Sequence, residues 1–221
     1  MTTYAGIKPS HGLESVGIAH TGKVFWNLSP AELTEHSLCR GQGKLADNGA
    51  LCVDTGTFTG RSPKDKFVVE DALTRNTVWW GDINQPISGA HFERLLMKMQ
   101  AYLQGRDLFI RDVYAGADAA YRIAVRVINL LPWQNLFVND LFIRPEEKAL
   151  RDFVPDWTII AAPDFYANPE TDGTRARNFS VIDFSRKMIL IGGTSYAGEN
   201  KKSVFTLVAV IPARSKKAYL P

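Results

Sequence analysis

Between Thr55 and Lys66 the chain reads TGTFTGRSPKDK, gathering two glycines, small hydroxyl residues and three cations into twelve positions directly after the apolar run Ala50-Leu51-Cys52-Val53. A strand that ends in such a loop presents backbone N–H groups, hydroxyls and cations together, which suits a small polyanion. Glycine permits close backbone approach, and Arg61 can grip a carboxylate or phosphate through two parallel N–H bonds where lysine cannot. Gly, Ser, Pro and Asp also build ordinary basic surface turns. The cations beside two glycines favour an anion site. It is not a nucleotide P-loop: the glycine spacing is one residue short and arginine stands in place of lysine.

A second constellation, Gly192-Gly193-Thr194-Ser195-Tyr196-Ala197-Gly198-Glu199-Asn200-Lys201-Lys202, predicts a strand running into a glycine-rich turn and then a helix starting near Gly198. Tyr196 would offer a ring and a phenol at the edge of a cleft. Adjacent lysines on a helix point about 100° apart, so Lys201 and Lys202 need not address one ligand. A lysine buried among cations loses its proton readily and then serves as a base or metal ligand. From spacing alone, both lysines read as snorkelling from a surface helix.

The elements that must position these residues alternate in type. Ser29-Pro30-Ala31-Glu32 is a capping box with proline at the first helical position, predicting a helix to about Ser37. Phe92, Leu95, Leu96, Met99 and Leu103 recur at helical spacing across about 90–104, and Pro132 opens a helix to about Leu141. Pro145-Glu146-Glu147 opens another. Strands are predicted at 50–53 (buried), 66–70, 108–113, 122–128 and 157–162, with a hairpin formed by 179–184 and 187–191. Helices between strands, plus one antiparallel pair, predict an α/β fold with a mixed sheet flanked by helices.

Composition restricts the function classes. Of 221 residues, 45% are hydrophobic and 22% charged, as in globular chains. A formal net charge of +3, without long basic runs, gives no case for nucleic acid. Two cysteines, Cys39 and Cys52, read as reduced buried thiols. No apolar leader and no membrane-length apolar run is present, so a cytoplasmic setting without membrane contact is expected. His11, His20, His36 and His91 lack metal spacing, Gly41-Gln42-Gly43 reads as a loop, and Arg175 and Arg177 read as a solvated connection.

The wording TGTFTGRSPKDKFVV resembles the substrate-binding loop of ATP-dependent phosphoenolpyruvate carboxykinase. Phe142-Ile143-Arg144-Pro145, Ile191-Gly192-Gly193-Thr194 and Tyr196-Ala197-Gly198-Glu199-Asn200-Lys201-Lys202-Ser203 match that family in order. The resemblance runs to about Phe205, and implies the family's N-terminal substrate-binding lobe over 1–205 with a non-family tail over 206–221. The family's reaction is the decarboxylation and phosphorylation of oxaloacetate by ATP to phosphoenolpyruvate, used in gluconeogenesis. By the same resemblance Arg61 would clamp the substrate carboxylate or product phosphate, and Tyr196 would face the substrate. Lys202 would be a neutral-amine manganese ligand touching substrate and nucleotide phosphate, and Lys201 would hold the departing carboxylate. ATP, Mn2+ and Mg2+ are the implied cofactors.

The family continues into a His-Cys-Ser-Ala-Asn segment, a P-loop and metal-binding aspartates. After Phe205 this sequence instead reads TLVAVIPARSKKAYLP. The expectation is therefore a monomer, inactive alone, for which a missing C-terminal lobe would supply the nucleotide pocket; the alternative is a non-catalytic dicarboxylate or phospho-acid binding domain. Leu207, Val208, Val210 and Ile211 are expected to be partly exposed or folded over the cleft side.

Overall fold

Ser29 starts the first helix as its sequence requires. Its side chain accepts from the Glu32 amide at 3.3 Å, while the Glu32 carboxylate accepts from the Ser29 amide at 2.7 Å. The computed structural model describes residues 3–214, with side chains through residue 208. In chain order the elements are β1 (Tyr4–Gly6), β2 (Val24–Trp26), α1 (Pro30–Cys39), β3 (Lys44–Leu45), β4 (Leu51–Cys52), β5 (Lys66–Val69), β6 (Gln85–Ile87), α2 (Gly89–Tyr102), β7 (Leu108–Ala115) and β8 (Ile123–Asn129). They continue with α3 (Pro132–Leu141), α4 (Glu147–Arg151), β9 (Trp157–Ala162), α5 (Pro169–Asp172), β10 (Phe179–Asp183), β11 (Met188–Gly192) and α6 (Gly198–Arg214).

Nine of these strands form one mixed sheet in the order β1-β2-β7-β8-β9-β11-β10-β5-β6. From the pairings, β1, β2 and β7 run one way, β8, β9 and β11 the other, and β10, β5 and β6 the first way again. Period-two alternation divides the side chains between two buried faces. Phe67, Val69, Ile128 and Val181 join Phe92, Leu95 and Met99 of α2 in one cluster. Val68, Val125, Val127, Ile182 and Ile189 join Val204 and Leu207 of α6 in the other. Both faces being covered explains the near-continuous apolar reading of the central strands.

Three expectations are corrected. The run 50–53 is not a buried strand: Leu51–Cys52 pairs only with Lys44–Leu45 in a two-stranded ribbon, with Leu51 half-buried and Cys52 exposed. Its partner strand Lys44–Leu45 is itself exposed, so the pair has no buried sheet face. For the same reason Cys52 is a free exposed thiol, and so is Cys39 on the outer side of α1. The third is Leu207. α6 passes residue 205 without a break, and Leu207 is fully buried with Val204 on the sheet, a burial that contributes about 2 kcal/mol. Val208 packs partly buried against the same cluster, and the side chains of Val210 and Ile211 lie outside the described residues.

Candidate anion site at one sheet edge

Strand direction brings the two sequence constellations together. Gly192 at the end of β11 pairs with Phe179 at the start of β10, and Ser180 pairs with Lys66 at the start of β5. The loop entering β5 and the loop leaving β11 therefore lie at the same edge. The carboxyl ends of β8 and β9 reach that edge too, through Asn129↔Ala161 and Gly192↔Ala162. A crevice outside strand carboxyl ends is where open α/β sheets bind ligands.

The glycine loop is anchored at its far end. A short 3-10 turn, Pro63–Asp65, buries Asp65, whose carboxylate accepts from Asn178 Nδ2 at 2.9 Å. Its other oxygen lies 2.7 Å from Arg175 NH2, an ionic contact without an aligned hydrogen bond. Arg175 and Arg177 are both exposed, as expected of a solvated connection; Arg175 also tethers the loop, and Arg177 stacks over the Tyr166 ring at 4.5 Å.

Arg61, upstream of this anchor, has a side chain 28% exposed. Its guanidinium meets Glu199 of α6 through Nε, at 3.8 Å from Oε1. That distance is too long for a hydrogen bond, and Nε has no other partner. Glu199 is buried in the first turn of α6. Burial pushes its carboxyl up from the usual range, against the pull of Arg61 and then Lys66. Lys66, at the first position of β5, is 6% exposed and donates to Asn84 Oδ1 at 2.9 Å and Thr206 Oγ1 at 3.0 Å. Burial, and next the Arg61 charge, lower its pKa to about 8, with Glu199 opposing.

Tyr196 lies on the other loop, half-buried, lining a pocket of about 310 Å³ with Val53, Thr55, Trp133, Phe137 and Ala197. Its ring packs on Gly198, where a Cβ would come within 2.6 Å of ring carbons, so the ring's place depends on glycine there. A more polar pocket, of about 550 Å³, shares Trp133 and is lined by Gln42, Lys44, Asp54, Asp164 and Ser195. Gly41-Gln42-Gly43 is a loop, as its sequence predicts, and forms part of that wall.

The predicted site residues are only partly assembled. Arg61 and Tyr196 stand on neighbouring loops of one edge, and Arg61 reaches the α6 turn that follows Tyr196. Lys201 and Lys202, in contrast, are both exposed; Lys202 Nζ lies 6.0 Å from the centroid of the exposed Phe205 ring. Ser203, Val204 and Leu207 occupy the inward stripe of α6, so helical geometry turns 201, 202 and 205 outward. That exposure is what their spacing alone predicts, and the buried lysine near this edge is Lys66. Among the described residues no three His, Cys, Asp or Glu side chains are grouped to hold a metal.

Sequence reasoning passed over Asp65, Lys66 and Glu199, although all three lie inside the motifs that drew attention. The signal was an acid beside each cation, which spacing alone cannot distinguish from a solvated pair.

Comparison with known proteins gives the family. The family model described as phosphoenolpyruvate carboxykinase matches residues 22–220. A phosphoenolpyruvate carboxykinase (ATP) of Moorella thermoacetica is 52% identical over 199 residues, covering 90% of this chain and 38% of that protein. Those of Thermus thermophilus and Amoebophilus asiaticus are 48% identical over 200 residues and 46% over 196, each covering 89% of this chain and 38% of the relative. The chain thus spans a little over a third of the length of the curated relatives it matches. With the family match running across residues 22–220, and its two glycine-rich motifs meeting at one sheet edge, the chain belongs to the phosphoenolpyruvate carboxykinase family.

Proposed function

We propose that this chain forms the substrate-binding part of an ATP-dependent phosphoenolpyruvate carboxykinase, taking the anionic groups of oxaloacetate or phosphoenolpyruvate at the Arg61 loop. In the overall reaction the bond to the departing carboxylate breaks, releasing carbon dioxide and leaving an enolate. The enolate oxygen then takes the terminal phosphoryl group of ATP, and ADP leaves. Fixed positive charge must meet the carboxylate and phosphate throughout.

The carrying observation is the state of Arg61. It stands at the end of a glycine loop over a helix start, with no hydrogen bond to any described protein acceptor and only a loose contact to Glu199. An arginine so placed keeps its terminal N–H groups for a bidentate anion. Tyr196, on the adjoining loop, faces the substrate across the cleft. Lys201, at the exposed start of α6, holds the departing carboxylate, and Lys202 contacts the substrate or its phosphate. ATP and the divalent ions Mn2+ and Mg2+ are the co-reactants of the full-length family reaction, and no step assigned to this chain's residues runs through them. Turnover is accordingly assigned to the family's full length and acid binding to these 221 residues.

Titrating the chain with phosphoenolpyruvate by calorimetry tests this. Binding that Arg61→Ala weakens by about ten-fold or more supports it. Equal affinity of the two proteins, or no binding by the wild-type chain, overturns it.

A further inference from the structure

We propose that Lys66 and Glu199 are positioning residues that lock the glycine loop to the first turns of α6 and so aim Arg61 into the cleft. This deepens the function just proposed and, for its ligand arm, rests on that reading.

Two ties run from the loop and β5 to α6. Arg61 of the loop contacts Glu199 through Nε at 3.8 Å. Lys66, at the start of β5, is buried as Glu199 is. Lys66 Nζ donates to Thr206 Oγ1 at 3.0 Å, and Thr206 Oγ1 donates to the Lys202 carbonyl at 3.1 Å. Both ends of the candidate site, Arg61 and the lysine turn of α6, are thereby referred to one buried ammonium group. The groups facing that ammonium are few. Arg61 comes from the loop and Glu199 from α6, while Asn84, Thr206 and the paired Ser180 of β10 are neutral.

A methionine would fill the same channel without the cost of burying a charge, so the retained charge must do something that packing does not. Its hydrogen bond to Thr206 ties the start of β5, and the loop before it, to the helix that carries Glu199. Burial pushes the Glu199 carboxyl up, with Arg61, Lys66 and Lys202 pulling against it. Without the Lys66 ammonium that tie is lost, and the Glu199 carboxylate is no longer held opposite the Arg61 Nε edge. Arg61 is then free to leave the orientation in which its Nε edge faces the helix. Such a role places no requirement on Lys66 or Glu199 touching the ligand.

The full 221-residue chain is tested in two arms. In the first, carbon-detected NMR order parameters are measured for the Arg61 side chain, without ligand, in wild type, Lys66→Met, Lys66→Arg and Glu199→Gln. The expected result is an ordered Arg61 in wild type and Lys66→Arg, and one as mobile as the exposed Arg75 in the other two. An Arg61 already mobile at neutral pH, or one indifferent to Lys66→Met, overturns the inference whatever the ligand does. In the second arm, phosphoenolpyruvate affinity should fall by about ten-fold in Lys66→Met and recover in Lys66→Arg. Binding that depends on Arg61 but not on Lys66 overturns the inference and leaves the functional reading standing. An Arg61 ordered in wild type and loosened by Lys66→Met, in a chain that does not bind phosphoenolpyruvate, supports the inference and overturns that reading.

Discussion

Of the arginines that meet buried carboxylates, Arg126 and Arg61 are treated in opposite ways. Arg126 of β8, 1% exposed, donates to Asp112 of β7 through Nε at 2.7 Å and NH2 at 3.2 Å. Its NH1 donates to the carbonyls of His11 and Gly12, and the guanidinium stacks over Trp26 at 4.9 Å. The Asp112 carboxylate also accepts from Asn27 Nδ2, and its amide donates to Asn27 Oδ1. Every edge of that ion pair is used, and it ties the N-terminal segment to the middle of the sheet. Arg61 has one long contact and no hydrogen bond. Saturation is the difference between an arginine that holds the fold and an arginine held ready for a ligand. Burial alone does not separate them, since Glu199 and Asp112 are both buried.

The comparison is most sharply broken at Asp112. Replacing it by asparagine leaves Arg126 without its countercharge, and chemical denaturation should show a loss of about 3–5 kcal/mol. A loss under about 1 kcal/mol would mean that the pair is not the structural member of the two. Arg61→Lys should do the reverse, costing phosphoenolpyruvate affinity about ten- to hundred-fold while leaving denaturation midpoints nearly unmoved. A midpoint that falls as far as in the Asp112 variant would erase the distinction.

A smaller effect follows from Lys66. Its folded pKa, about 8, lies below the 10.5 of a free lysine, so between those values the unfolded chain binds more protons than the folded one. Stability from this group therefore rises with pH across that window, by roughly 1–2 kcal/mol after allowance for solvent screening. Denaturation of wild type against Lys66→Met, from neutral to about pH 10, reads it as a slope that the variant lacks. Least of all is Ser29→Ala, which removes one cap from α1 and should cost about 1 kcal/mol with ligand affinity unchanged. A change in affinity there would show that α1 is coupled to the site.

Local signals were legible where the physics is local. The Ser29 box, the proline at 132, and the spacing of Phe92, Leu95, Leu96 and Met99 each place a helix close to its observed bounds. Ile123, Val125 and Val127 share a buried face, as their alternation predicts. Strand order was not legible, because the pairing of β5 with β10 is decided by partners far away in sequence. The ribbon at Leu51–Cys52 was misread for the same reason: four apolar residues look buried until their neighbours are known. At the site, Arg61 and Tyr196 were legible as residue types in glycine-rich wording. Which lysine is buried was not, since that depends on the angle at which α6 packs, and only its inward stripe of Ser203, Val204 and Leu207 reveals it.

The contact between Asp65 and Asn178 joins residues 113 positions apart. During synthesis β5 therefore leaves the ribosome long before β10, the strand that covers its inner edge, exists. Until then its unpaired backbone is open to any other extended chain. Pairing so remote in sequence also forms slowly after release. The glycine loop takes its native shape among the last parts of the molecule, and a chaperone that shields Lys66–Val69 during this interval would raise the yield of binding-competent protein more than its final stability.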